Sequence, residues 1–79
     1  MIILYFGPAR ECAGISSETI DSDRPITLDT FWEGAIARHP GLARCREISR
    51  VAVGMEYLGA GEMIPADAEV AIIPPVAGG

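Results

Sequence analysis

The two most apolar segments of the chain stand at its opposite ends, residues 1–6 (MIILYF) and 69–73 (EVAII), and only one convincing helix lies between them. Both segments are short, rich in Ile and Val, and bounded by Gly or Pro, which marks them as strands. A strand apolar at nearly every position reads as buried on both faces, and residues 1–6 fit that description. Two such strands have the best claim to the centre of one sheet, lying side by side although the whole chain separates them. Leu28, Phe31, Trp32, Ala35, Ile36 and His39 recur at i, i+3, i+4, i+7, i+8 and i+11, an amphipathic stripe that lays a helix on that sheet. Thr27 is placed to cap the helix, with Asp29 in its first turn. A capping box at Thr30 and Glu33 offers a start one turn later, and Pro40-Gly41 ends the helix.

The remaining segments complete the order. Gly7-Pro8 closes the first strand, residues 9–13 make a helical turn, and residues 15–20 return as a weaker strand. Residues 21–25 are turn chemistry, and residues 42–47 form a second short helical turn. Residues 51–54 make a strand, 56–58 continue it or pair back, and Gly59-Ala60-Gly61 and residues 65–68 are turns. The sequence therefore predicts an α+β roll of the β-grasp type, a mixed sheet of four to five strands with one main helix packed on it. Seventy-nine residues suffice for one such domain.

Composition limits the function classes. A net charge of −5, from eleven acidic residues against six arginines, makes a poor binder of phosphate backbones and suits a basic protein partner. No apolar run is long enough to span a bilayer, and residues 2–6 lack the flanks of a signal peptide, so the expectation is a cytoplasmic protein with neither nucleic acid nor membrane as partner. Cys12 and Cys45 form no CxxC, and His39 alone does not complete a zinc set, so no metal site is expected. They read as two buried thiols, with a single disulfide left open. His39 reads as a helix-end charge complement or surface group, Glu11 and Glu18 as unremarkable acids, and Arg44, Arg46 and Arg50 as a solvated face. No catalytic constellation appears.

The chemistry therefore points to the end of the chain. After Ile73 come Pro74, Pro75, Val76, Ala77, Gly78 and Gly79. Two prolines favour an extended path, and six residues reach roughly 18–20 Å at about 3.1–3.3 Å each. Gly78 and Gly79 have no Cβ and pass through a narrow channel. Residues 1–73 are thus expected as the folded domain and 74–79 as an extended tail that delivers a carboxylate into another protein's active site.

This tail, following an apolar strand, resembles that of the small subunit of molybdopterin synthase, one of the ubiquitin-like sulfur carriers. The run Phe6-Gly7-Pro8-Ala9-Arg10-Glu11 is similar to the family's N-terminal pattern, and residues 65–73 also fit. The family's aromatic residue before the prolines is Ile73 here. The resemblance implies that an activating enzyme uses ATP to adenylate Gly79, after which a sulfur donor protein supplies the sulfur of a thiocarboxylate. It implies no bound cofactor and no catalysis by the chain alone. It further implies that the tail enters the large subunit and gives sulfur to a pyranopterin precursor. Gly79 is then the sulfur bearer, Gly78 the slim penultimate residue, and Pro74, Pro75, Val76 and Ala77 the threading arm. Phe6, Arg10, Leu58 and Ile73 are expected at the partner interface. Sulfur carriage for thiamine or cysteine synthesis, a protein modifier and a non-covalent module are the competing expectations.

Overall fold

The computed structural model describes residues 1–59 and 61–74. Its elements run β1 (Ile2–Tyr5), α1 (Pro8–Ala13), β2 (Ser17–Thr19), β3 (Ile26–Thr27), α2 (Leu28–Arg38), a 3₁₀ segment (Pro40–Cys45), β4 (Arg50–Val53), β5 (Glu56–Tyr57), β6 (Met63–Ile64) and β7 (Glu69–Ile73). The main sheet has the order β2-β1-β7-β4-β5. β1 and β7 are its one parallel pair, with Ile3 opposite Val70 and Tyr5 opposite Ile72, and the other neighbours are antiparallel. The two ends of the chain thus meet at the heart of a β-grasp sheet, as their apolar character demands.

Alternation along the strands divides the residues between two faces. Ile3, Tyr5, Val51, Val70 and Ile72 point to one face and are buried against Phe31, Trp32 and Ala35 of α2, with Leu42 and Cys45 of the 3₁₀ segment beside them. Leu28 and Ile36 pack on the margin of this core. Phe31 and Trp32 meet edge to face with ring centres 5.9 Å apart, a geometry that adds attraction beyond their area. α2 starts where the earlier of the two caps lies: the backbone N–H of Thr30 donates to Thr27 Oγ1 at 3.1 Å. Pro40 does not end helical structure outright, because the chain tightens into the 3₁₀ segment through Cys45.

Three departures from the sequence reading have physical causes. The expected strand at 15–20 contracts to Ser17–Thr19, at an edge where only β1 supplies hydrogen bonds. β3 and β6, two residues each, form a small antiparallel sheet pairing Ile26 with Ile64; strands this short carry no periodicity. His39 is not a surface group. Its Nε2 stands 3.1 Å from both oxygens of Glu18, its ring meets Tyr5 edge-on, and its side chain is 19% exposed.

Glu18 joins three elements. It accepts from the Tyr5 hydroxyl at 2.5 Å and from Arg38 Nε at 3.1 Å, in addition to its contact with His39. Burial pushes the Glu18 carboxyl up, but the hydrogen bonds from Tyr5, His39 and Arg38 outweigh it and hold the group below its ordinary value. Burial, together with Glu18's hydrogen bond and negative charge, pushes the Tyr5 phenol well above its usual range. The carboxylate thus fastens the end of α2 to β1 and β2. The three arginines read as one solvated face also separate. Arg44 donates to Cys12, Arg46 pairs with Asp29 at 2.8 Å, and Arg50 stacks on Tyr57.

Candidate partner-binding face

The sheet face away from α2 is the unusual surface. Were β1 buried on both faces within this chain, Ile2, Leu4 and Phe6 would be covered. Instead Ile2 and Phe6 are exposed and Leu4 is half-buried. The apolar second face was legible in the strand, and the fold leaves it open. That is what a surface completed by another protein requires.

On this face Leu4, Phe6, Ala52, Gly54, Met55, Tyr57, Glu69, Ala71 and Ile73 line a shallow groove of about 450 Å³. β1, β7, β4 and β5 each contribute, so the groove floor is a hydrogen-bonded sheet and its shape is fixed before any partner arrives. Its small residues, Ala52 and Ala71, stand directly opposite each other across β4 and β7 and make the floor low. Phe6, Met55 and Tyr57 form the raised rim. The Arg50 guanidinium lies 4.4 Å above the centre of the Tyr57 ring, which braces the ring and sets one positive charge beside the groove.

The rim carries backbone strain. The β4–β5 turn places Gly54 at φ 58° and Met55 at φ 70°. Two positive φ values suit the tight turn of a twisted hairpin, and Gly or Asn normally occupies such positions. A methionine there costs roughly 1–2 kcal/mol, yet Met55 is 99% exposed and gains no packing in return. A flexible, polarisable side chain held outward in a strained turn is well suited to binding another surface.

The groove runs to the end of β7. Ile73, the last residue of β7, lines it, and Pro74 follows against Gly7. Gly7 has φ 55°, and a Cβ there would stand 3.1 Å from Pro74 Cγ. Glycine at this position allows both the turn into α1 and the close passage of the proline.

Of the four residues expected at an interface, Phe6 and Ile73 share the groove. Arg10 lines a separate concavity with Gly7, Glu11, Gly14, Ile15 and Ser16, and Leu58 packs on the margin of the core. Pro74 sits where the arm was expected to begin. Pro75, Val76, Ala77, Gly78 and Gly79 lie outside the described residues, as does Ala60 of the expected turn. Leu4, Ala52, Met55, Tyr57 and Ala71 also line the groove, though none of them is marked individually in the sequence. Continuous apolar character in β1 was their signal, since it identified a second face needing cover. Among the described residues no helix is long and apolar enough to cross a membrane.

Residues 3–79 match the ThiS family. The chain is 40% identical over 81 residues to the molybdopterin synthase sulfur carrier subunit of Homo sapiens, covering 98% of this chain and 91% of the relative. It is 33% identical to the protein of the same name from Chlamydomonas reinhardtii, with 98% and 95% covered. Among solved structures, SAMP1 from Haloferax volcanii superimposes with a TM-score of 0.80 at 27% identity, over 99% of this chain and 97% of that one. A putative molybdopterin converting factor, subunit 1 from Pyrococcus furiosus shares the fold with a TM-score of 0.78 at 22% identity, over 95% of each chain.

Proposed function

Because the chain belongs to the ThiS family, we propose that it is the sulfur carrier subunit of a molybdopterin synthase, bearing sulfur on Gly79 and docking through the groove of its sheet. The observation that carries the docking half is the apolar groove that reaches Ile73 at the end of β7. Full-length similarity to relatives named as sulfur carrier subunits supports the sulfur half.

A carboxylate resists attack because its negative charge and poor leaving group protect the acyl carbon. In the proposed cycle a separate activating enzyme joins the Gly79 carboxylate to the AMP portion of ATP, releasing pyrophosphate. A sulfur donor protein then delivers sulfur at the sulfide level to the acyl carbon; the new C–S bond replaces the C–O bond to AMP, AMP leaves, and a thiocarboxylate remains. This group is an exposed, soft nucleophile. Glycine at positions 78 and 79 leaves the acyl carbon unhindered. Pro74, Pro75, Val76 and Ala77 act as the arm that carries it into the large subunit. There the groove sets the register of docking, and proximity to the pyranopterin precursor supplies most of the rate. Two transfers build the dithiolene.

Intact mass tests the sulfur half. Incubation with ATP, a sulfur donor and a competent activating enzyme is expected to exchange one oxygen for sulfur in the full chain and not in a chain lacking Gly79. An unchanged mass, with the enzyme active on another carrier, overturns the proposal. Covalent adducts on other proteins' lysines would identify a modifier instead.

A further inference from the structure

Behind α1, on the side of the sheet opposite the groove, lies a sulfur cluster that the proposed function does not use. Cys12 Sγ and Cys45 Sγ are 3.0 Å apart, both as free thiols, although 33 positions separate them in the chain. Arg44 Nε donates to Cys12 Sγ at 3.3 Å. Close packing of α1 on the 3₁₀ segment brings them together, and a Cβ on Gly41 would come within 2.9 Å of the Cys12 carbonyl oxygen. The two thiols differ in access. Cys12 is half-buried at the edge of the core, whereas Cys45 is 1% exposed. No third His, Cys, Asp or Glu stands with them in a metal-binding group among the described residues.

We propose that Cys12 and Cys45 form a redox-active dithiol that reduces a low-molecular-mass disulfide of the glutathione type, with Cys12 attacking and Cys45 resolving. The inference is independent of the function proposed above. In the first step the Cys12 thiolate attacks one sulfur of the small disulfide. A mixed disulfide forms and one small thiolate leaves. Cys45 then loses its proton and attacks Cys12 Sγ, closing the Cys12–Cys45 bond and expelling the second small thiolate. Two protein thiols are oxidised and one small disulfide is reduced to two thiols.

The division of labour follows from the neighbours. The hydrogen bonds from Cys45 and Arg44 hold the Cys12 thiol below its ordinary value, against burial and the charge of Glu11. Burial, reinforced by the bond to Cys12, pushes Cys45 up. The accessible sulfur is therefore the one favoured as thiolate, and the buried one needs only to meet an intermediate formed beside it. Closing the loop from 12 to 45 also restricts the unfolded chain, so the oxidised protein is expected to melt on the order of 10 °C higher.

Oxidised glutathione and intact mass test the proposal. The full chain is expected to lose the mass of two hydrogens without accumulating an adduct. Cys45→Ser is expected to retain one glutathione on Cys12, and Cys12→Ser to gain none at a comparable rate. Arg44→Gln is expected to slow the first step several-fold at neutral pH. A stable adduct on the full chain, or no reaction with it, overturns the proposal. Should either serine variant fail to fold, the pH profile of Cys12 alkylation in the unaltered protein decides. A midpoint below the ~8.5 of a free thiol supports the proposal, and one at or above it overturns it.

Discussion

Met55 states the tension between folding and binding at a single residue. Its positive φ is a cost to the fold, and its full exposure means that no intramolecular contact offsets that cost. Asparagine tolerates the same backbone and lacks the apolar side chain. Met55→Asn is therefore expected to hold stability or raise it by up to about 1 kcal/mol, read as the denaturant midpoint. Affinity for the large subunit is expected to fall about tenfold, the loss of one apolar rim contact. Equal affinity in a well-folded variant would remove Met55 from the interface. The sequence left open whether residues 56–58 continue the strand at 51–54 or pair back, and only the hairpin closing on Glu56 places Met55 in its turn.

At the scale of elements, local signals were legible and non-local ones were not. The 3.6-residue spacing and Thr27 cap placed α2 because helix contacts lie within one turn. β3 and β6 were invisible, since two residues cannot display alternation. Glu18 looked like any surface acid because its partners Tyr5, Arg38 and His39 lie 13, 20 and 21 positions away. Its role has a pH signature. A folded-state value held below the unfolded ~4.3 contributes stability that is present above that pH and lost as pH falls through the folded value. Tyr5, shifted upward, contributes stability present below about pH 10 and lost as pH rises through its folded value. Glu18→Ala also leaves the Tyr5 hydroxyl without its acceptor, at roughly 1–3 kcal/mol. Thermal melts from pH 2 to 7 are expected to show a melting temperature lower by about 5–20 °C near neutrality, with the difference from the unaltered protein shrinking in acid. A constant difference across that range would contradict the assignment.

For the whole molecule, the arrangement is a division between two faces of one sheet. The helical side buries the core and holds the thiol pair, and the open side carries the groove that reaches Ile73. The fold class was legible because the chain's two most apolar segments had to lie together. The groove was only half legible. Apolar residues on both sides of β1 revealed a second face, but which β4, β5 and β7 side chains joined it depended on register. Phe6 and Ile73 line the groove, whereas Arg10 lines a separate concavity and Leu58 packs on the margin of the core.

Single-turnover sulfur transfer tests docking through the groove and sulfur carriage by Gly79 together. Thiocarboxylated protein, the large subunit and the pyranopterin precursor would be mixed, and dithiolene formation followed against protein concentration. Phe6→Asp, which sets a charge in the groove while leaving Gly79 intact, would be compared with the unaltered chain. Product is expected from both at saturation, with the concentration for half-maximal rate raised at least tenfold in Phe6→Asp. Identical concentration dependence in a folded variant would contradict docking through this face, and absence of product from the unaltered chain would contradict the sulfur carrier itself.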